Sequence, residues 1–154
     1  MAAETSALTN NEAGRGFTHF YVADYEDLQA IGNGGQKTIA TIPAGGAVEL
    51  VYVDEVTAFA GTTSLVIDIG TTAGDPDEFI DALDVDAMTV PVFNTGDLMV
   101  QSAGTTTYLG GALPVKPVAS DTAILLEVTD AAIASATAGK LFVGLRILDP
   151  RALA

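Results

Sequence analysis

Residues 47 to 69 read Ala-Val-Glu-Leu-Val-Tyr-Val-Asp-Glu-Val-Thr-Ala-Phe-Ala-Gly-Thr-Thr-Ser-Leu-Val-Ile-Asp-Ile. This stretch contains the densest runs of β-branched and aromatic residues in the chain, which predicts two strands joined by a loop. In the second run Leu65, Ile67 and Ile69 recur at every other position, the period that places one face of a strand in a core. We therefore expect the rest of the chain to be organised around this pair of strands.

The first of the two runs has apolar residues on both of its faces. Val48, Leu50 and Tyr52 share one face, while Val51 and Val53 share the other. A strand with this pattern is covered on both sides. Two arrangements satisfy the pattern: a position in the middle of a sandwich, or a position where another subunit packs against the strand.

Other short runs along the chain have the composition of strands and are bounded by Gly, Pro and Asn. Turn signals that recur about every 8–12 residues are typical of a sandwich or a barrel. We predict a hairpin turn at 43–46, and we expect the last strand to pair near the middle of a sheet because four of its aliphatic residues alternate cleanly. The predicted strands cover residues 17–22, 37–42, 89–93, 97–101, 105–109, 122–128 and 140–148.

Residues 17–22 place Phe17, His19 and Tyr21 on one face of the first predicted strand. Residues 24–30 are acidic and fit one helical turn before the glycine-rich segment 32–35. That segment lacks the spacing of a dinucleotide or phosphate loop and lies among carboxylates, so it is predicted to be a turn.

The chain has 154 residues, which favours one domain with a full core, and it contains no cysteine, so no disulfide or thiolate metal site is expected. The hydrophobic fraction is 49%. Even so, the apolar runs are strand-sized and broken by Gly, Pro and Thr, so no membrane partner is expected. High hydrophobicity without a membrane segment also fits apolar surface buried against partners.

Residues 1–16 are small and polar and are predicted to form a flexible N-terminal arm, followed by a β-sandwich domain over 17–154. The arm is either a loose terminus or a segment that orders on a neighbouring subunit. It has no basic start and no apolar stretch of the kind found in secretory signals, so synthesis in a cytoplasm is expected.

The acidic stretch 68–86 is the one place where the sequence suggests a metal, because calcium prefers several oxygen ligands. Its spacing departs from the EF-hand pattern. A helix over 76–83 explains the same residues without an ion: Asp75 would be the N-cap, Pro76 the first helical residue and Glu78 the partner in a capping box. Further along, residues 130–138 fit either a short alanine-rich helix or an irregular loop.

We find no residues that argue for a reaction, and we predict no catalytic, cofactor-binding or metal site. The one histidine, His19, lies among aromatic residues, which indicates packing rather than acid–base work. Zinc is excluded by one histidine and no cysteine. The carboxylate pairs Asp54–Glu55 and Asp81–Asp84 lack a tryptophan platform for sugar, so glycosidase chemistry, and with it an enzyme, is not expected.

Several segments of the chain are similar to small head decoration, or cement, proteins of tailed bacteriophages. They comprise the turn Thr41-Ile42-Pro43-Ala44-Gly45-Gly46, the strand end Val-Thr-Ala-Phe at 56–59, Ser-Leu-Val-Ile-Asp-Ile-Gly at 64–70, Gly-Asp-Pro-Asp-Glu-Phe at 74–79, and Thr-Ala-Gly-Lys-Leu-Phe-Val-Gly-Leu-Arg-Ile-Leu-Asp at 137–149. These motifs are structural rather than catalytic, and they cover the middle and the end of the chain.

Strand pattern and resemblance together predict an all-β, antiparallel, jelly-roll-like sandwich of about eight strands with an N-terminal arm and one short helix. The resemblance implies a structural virion protein: a homotrimer that binds the outer surface of a phage capsid and stabilises the lattice of the major capsid protein. The alternative is a receptor- or carbohydrate-binding β-module of a virion fibre, with or without a calcium requirement.

The chain has six Lys and Arg against 20 Asp and Glu, a formal net charge of −14, so no nucleic acid partner is expected. On a capsid this sign fits the outside of the shell. Acidity that merely keeps a hydrophobic domain in solution explains it equally well.

Overall fold

In the computed structural model, residues 4–7, 16–93 and 117–153 are described. These ranges contain one α-helix, α1 (Tyr25–Ile31), and two short 3-10 helices, Ile133–Ser135 and Pro150–Leu153. Their strands are β1 (Glu4–Ala7), β2 (His19–Asp24), β3 (Gly35–Ile42), β4 (Ala47–Ala60), β5 (Val66–Gly70), β6 (Ile80–Asp84), β7 (Val92–Phe93), β8 (Thr122–Thr129) and β9 (Ala138–Leu148).

The strands form two antiparallel sheets that pack face to face. One sheet has the order β1-β2-β9-β4-β7 and the other the order β3-β8-β5-β6. The predicted all-β antiparallel sandwich is therefore confirmed. The last strand, β9, lies between β2 and β4, as its clean alternation of aliphatic residues predicts.

The core is the layer between the two sheets, and alternating residues of both sheets fill it. In β9 every second residue from Leu141 to Ile147 is at least 96% buried, and in β8 the same holds from Ile124 to Val128. Burial of side chains of this size stabilises the fold by roughly 1.5–3 kcal/mol each before entropy is counted. The remaining large core residues are Tyr21, Leu28, Ile39, Ile42, Val48, Val51, Val53, Leu65, Ile67, Ile69, Phe79, Ile80, Val85 and Ile133.

The turn at 43–46 is not a hairpin turn, contrary to the prediction. It exists, because the Gly46 amide donates to the Pro43 carbonyl over 2.7 Å. However, β3 pairs with β8 in one sheet while β4 pairs with β9 in the other, so the turn takes the chain from sheet to sheet. The two strands of the opening stretch, β4 and β5, likewise lie in different sheets instead of pairing with each other.

The faces of β4 differ from simple alternation because the strand contains a bulge. The register against β9 shifts between Val48 and Leu50, which puts Val48 on the same side as Val51. Both valines are fully buried in the core, whereas Leu50 and Tyr52 are partly exposed on the outer face. The expectation that β4 is covered on both sides is thus met inside the sandwich and only in part outside it.

The helix predicted over 76–83 is wrong. Residues 75–79 are an irregular segment, and Ile80–Asp84 is strand β6, paired with β5. Glu78 does not return to a helix N-terminus; it accepts hydrogen bonds from Thr71 instead. Pairing with β5 buries Ile80 completely, and this tertiary contact outweighs the local capping signal.

A capping box does form, at the acidic segment 24–30, where the sequence fits a helical turn. Asp24 accepts from the amide of Asp27, and Asp27 accepts from the amide of Asp24, at 3.1 Å in both directions. The two bonds satisfy amides at the start of α1 that have no partner within the helix. Leu28 then turns into the core, so that α1 covers one end of the sandwich.

Residues 4–7 belong to the segment predicted as a flexible arm, yet they form β1, which pairs antiparallel with β2 from Glu4 opposite Val22 to Ala7 opposite His19. Main-chain hydrogen bonds suffice to add an edge strand to a sheet, so a polar composition does not prevent it. Residues 1–3 and 8–15 lie outside the described residues, and their flexibility stays a prediction.

Of the other predicted strands, 122–128 is confirmed as β8, and 89–93 is shorter than expected, since only Val92–Phe93 pairs. The strands predicted at 97–101 and 105–109 lie outside the described residues. Residues 130–138, for which a short helix and a loop were both considered, contain a short 3-10 helix at Ile133–Ser135. No helix in the described part of the chain is long and apolar enough to cross a membrane.

Candidate functional site

The most distinctive surface is the outer face of the five-stranded sheet, which we call the aromatic face. Four partly exposed rings contact one another on it. Their centroid distances are 5.3 Å for Phe17–Tyr52, 5.8 Å for Phe17–Phe142, 6.1 Å for Tyr52–Phe142 and 6.3 Å for Phe20–Phe142. These separations are those of favourable aromatic pairs. A fifth ring, Phe93, completes the face at β7.

Strand alternation explains why these rings lie outside. In β2, Tyr21 points into the core, so its neighbour Phe20 points out. In β9, Phe142 lies between two core residues and therefore points out as well. Phe93 is directly opposite Tyr52 in the β4–β7 ladder, and residues opposite each other in an antiparallel pair share a face.

Phe17 reaches this face because position 144 has no side chain. Gly144 is opposite both Phe20 and Tyr52 in the two ladders of β9, at the centre of the face. A Cβ atom added there would lie 2.7–2.9 Å from three atoms of the Phe17 ring, closer than carbon atoms pack. The ring thus occupies the space that any other residue would fill.

Three further contacts hold the backbone beside Phe17 against β9. The Thr18 amide donates to the Leu145 carbonyl over 2.7 Å, and the Ile147 amide donates to Thr18 Oγ1 over 2.8 Å. Arg146 Nε donates to the Gly16 carbonyl over 2.6 Å. The segment that leads into β2 is therefore fixed on the outer side of the sheet, together with its phenylalanine.

The aromatic face extends into exposed apolar residues at its edges. Phe93 is 61% exposed and Leu148 is 41% exposed, and both are among the few large hydrophobic residues exposed to this degree in the described chain. Soluble monomers rarely expose a large contiguous apolar patch unless it binds something.

Charged groups of both signs border the rings. Arg146 Nη1 lies 4.0 Å from the Glu49 carboxylate, and Lys140 is opposite Asp24 in the β2–β9 ladder. Asp54 follows Tyr52 on the same face of β4; partial burial, and then the charge of Asp54, raise the pKa of the Tyr52 hydroxyl. Among the described residues, the border thus contains three carboxylates and two cations.

The outer face of the four-stranded sheet has a different character. Asp68 and Glu127 are directly opposite each other in the β5–β8 ladder. Like charges in such a pair repel. Partial burial raises the pKa of Asp68, and the charges of Asp81, Glu127 and Asp75 raise it further, although a hydrogen bond from the Ala82 amide opposes the shift. This face is acidic where the other is aromatic.

The acidic stretch 68–86 runs from β5 through a loop and β6 into the turn that follows, and its carboxylates make separate hydrogen bonds. Glu78 accepts from Thr71 and Thr72, and these bonds lower the pKa of its carboxyl although burial alone would raise it. Asp86 accepts from the Leu65 amide over 3.0 Å, a bond that joins two loops. Within the described residues no group of three or more possible ligands is placed to hold a metal ion.

The other residues considered for chemistry also make hydrogen bonds that stabilise the fold. His19 Nδ1 lies 3.0 Å from Thr18 Oγ1, and burial lowers the pKa of its imidazole. Glu55 accepts from the Phe59 amide, while the neighbouring Asp54 lies on the outer face, so this pair does not share a site. Asn33, in the glycine-rich turn, accepts from the Asp130 amide over 2.9 Å.

Asp130 is the residue that would cap the short helix considered for residues 130–138, and in the structure it is the buried charged residue of the described core, at 4% exposure. Its carboxylate accepts from the amides of Thr63 and Ala132 at 3.0 and 2.9 Å. Two such bonds satisfy a buried carboxylate and tie the loop before β5 to the end of β8. We assign it a structural role.

Sequence reasoning missed the aromatic face because it placed Phe17 on the face of His19 and Tyr21. The strand begins at His19, and the bend at Thr18 turns Phe17 to the opposite side. One signal was available: a glycine in the middle of a strongly alternating strand often marks a close approach of another group. Gly144 is such a glycine.

No protein-family model matches this chain, and no curated protein sequence matches it. Among solved structures, a chain of the "Acidic stable capsid structure of Helicobacter pylori bacteriophage KHP30" aligns over 96% of this chain and 98% of its own length. The identity is 16% and the TM-score is 0.36. A likeness of that size says nothing about function.

Proposed function

We propose that this chain is a structural virion protein of a tailed phage, a decoration protein that binds the outer surface of the capsid and stabilises the lattice of the major capsid protein. The observation that supports it best is the partly exposed aromatic face on an otherwise acidic sandwich. Such a face suits a protein whose work is to bind another protein surface. The segments similar to phage cement proteins are the reason for proposing a phage capsid as the surface that it binds.

The strand order supports the proposal at the level of architecture. Without β1, the sheets β2-β9-β4-β7 and β3-β8-β5-β6 each have four strands, and consecutive strands often lie in different sheets. We infer that the sandwich is a jelly roll, an architecture common among viral capsid and lectin domains. The chain is proposed to act without a cofactor and without catalysing a reaction.

A homotrimer is part of the proposal, because the resemblance implies it and closed symmetry is the usual state of a protein that occupies repeated lattice sites. The proposed location is the outside of the virion, after synthesis in the host cytoplasm. The net charge of −14 agrees with a position away from packaged DNA.

The second candidate is a receptor- or carbohydrate-binding module of a virion fibre. The observation that favours it is again the aromatic face, since rings such as Tyr52 and Phe142 offer flat surfaces on which a sugar stacks. A calcium requirement belongs to this alternative. The two functions differ in the ligand that the same rings would contact.

The test is co-sedimentation of the purified chain with empty capsids of the phage that encodes it. We expect saturable binding at a fixed number of copies per capsid and density on the outer surface in electron micrographs. We also expect the bound protein to raise the temperature at which the capsids open. Absence of binding to these capsids would refute the decoration role, and binding to host cell-surface glycans instead would favour the fibre module.

A further inference from the structure

We propose that the aromatic face is the docking surface of this protein, and that it fits a protein surface with an apolar centre and a basic rim. The inference rests on the proposed function, because it names the side of the sandwich that would contact the capsid. The acidic outer face of the four-stranded sheet would then point to solvent.

The first argument is the difference between the two outer faces. Five aromatic residues lie on the outer face of the five-stranded sheet, and Phe93 and Leu148 there are 61% and 41% exposed. The opposite outer face has the cross-strand carboxylates Asp68 and Glu127, with Asp81 nearby. Desolvating that acidic face would cost far more than desolvating rings, so docking is favoured on the aromatic side.

The second argument is that the rings are already held in place before any partner binds. Phe17 occupies the space above Gly144, and the backbone beside it is bonded to β9 through Thr18 and Arg146. A surface whose side chains are ordered in the free protein loses less entropy on association. Aromatic residues packed in this way are also the residue type most often found as energetic centres of interfaces.

The third argument, from charge, identifies the chemistry of the partner. In the part of the chain that the structure describes, the rings are bordered by the carboxylates Asp24, Glu49 and Asp54 and by the two cations Lys140 and Arg146. The whole chain has a net charge of −14, which attracts a basic surface at long range. A partner with basic groups around an apolar centre is therefore complementary both near the rings and at a distance.

One pair of variants tests the apolar contacts of the aromatic face. Phe93→Ser removes a ring that is 61% exposed, so it should leave the fold intact. Leu125→Ser is the matched control, an apolar-to-polar change in β8 on the outer face of the other sheet. In co-sedimentation with empty capsids of the encoding phage, we expect Phe93→Ser to weaken binding about tenfold and Leu125→Ser to change it less than about twofold.

A second pair of variants tests the attraction to a basic rim on the partner. Both variants change the net charge of the chain by the same amount. Asp54→Lys alters the border of the aromatic face, and Asp81→Lys alters the acidic outer face of the other sheet. At low salt we expect Asp54→Lys to weaken binding to the capsids about tenfold and Asp81→Lys to weaken it about twofold or less. The difference should shrink as salt screens the charges. Melting temperatures of all four variants verify that each is folded.

The outcomes separate this inference from the proposed function. If the unaltered chain binds capsids and the aromatic-face variants bind equally well, the docking surface is wrong while the decoration role stands. If the unaltered chain does not bind, the decoration role fails and the inference fails with it. If a soluble host cell-surface oligosaccharide displaces the bound chain, the face binds sugar and the protein partner is wrong.

Discussion

Gly144 lies under the ring of Phe17 at the centre of the aromatic face, where a Cβ atom would come within 2.7–2.9 Å of the ring. We expect Gly144→Ala to displace the ring and lower stability by about 1–3 kcal/mol, the usual cost of overpacking. In a domain of this size that lowers Tm by roughly 2–4 °C per kcal/mol. Thermal unfolding followed by circular dichroism measures the change.

The control is the same substitution in a chain that lacks the ring. Phe17→Ala removes the group that occupies the space, and alanine is otherwise better than glycine within a strand. In that background Gly144→Ala should be neutral or stabilising. If it destabilises both chains equally, the close approach of Phe17 is not the reason for the glycine.

Asp68 is the carboxyl with the clearest electrostatic conflict, since partial burial and the charges of Asp81, Glu127 and Asp75 raise its pKa above 3.8. A raised pKa in the folded state means that the folded chain binds the proton more tightly than the unfolded chain does. Stability from this group therefore rises as pH falls through the raised folded value towards 3.8, and is lost again as pH rises.

Asp68→Asn should consequently stabilise the protein at pH 7 and lose that advantage near pH 4. After allowance for solvent screening we expect about 0.5 kcal/mol, or roughly 1–2 °C in Tm. Melting curves of both chains from pH 4 to pH 7 check the sign. Glu127→Gln should give a similar gain, and the double variant should gain less than the sum, because the two carboxylates repel each other.

At the scale of elements, β1 is an edge strand of four residues that covers the open edge of β2. Deleting residues 1–12 removes these main-chain bonds and leaves all the core residues that the structure describes in place. We expect Tm to fall by about 2–6 °C, the effect of a few edge hydrogen bonds. Self-association should increase, because an uncovered edge pairs with other chains. Thermal melts and light scattering measure the two effects.

Deletion of residues 1–3 is the matched control, because it shortens the chain and leaves β1 in place. It should change neither Tm nor light scattering. Complete unfolding of the longer deletion would mean that β1 is an integral strand of the domain, and no effect at all would mean that its pairing with β2 contributes nothing.

For the whole molecule, the proposed trimer gives a direct measurement. Sedimentation equilibrium at micromolar concentration should show three times the chain mass of 15.7 kDa. Because each chain has a net charge of −14, assembly should be stronger at 0.15 M salt than at 0.01 M, where repulsion is poorly screened. The aromatic face should stay accessible in the trimer. A stable monomer at both salt concentrations would contradict this part of the proposal.

The sequence by itself determined the class of the fold and the interior of its strands. Alternation in β8 and β9 predicted which residues are buried, because a period of two is a local property of an extended chain. The sequence also predicted the central position of β9 in its sheet. The helix α1 lies in the acidic segment for which one helical turn was predicted.

Only the tertiary structure decided which strands pair and which outer residues meet. Local patterns cannot distinguish a hairpin from a connection between two sheets, so the prediction of a hairpin turn at 43–46 was wrong. The helix predicted from the capping signal at 75–78 was also wrong, because the pairing of β6 with β5 outweighs that signal. The sequence also could not predict the candidate site. Phe17 and Gly144 are far apart in the chain, and the bulge in β4 and the bend at Thr18 are set by the register of neighbouring strands. Contacts of that kind depend on the packing of the whole sheet, which no local period encodes.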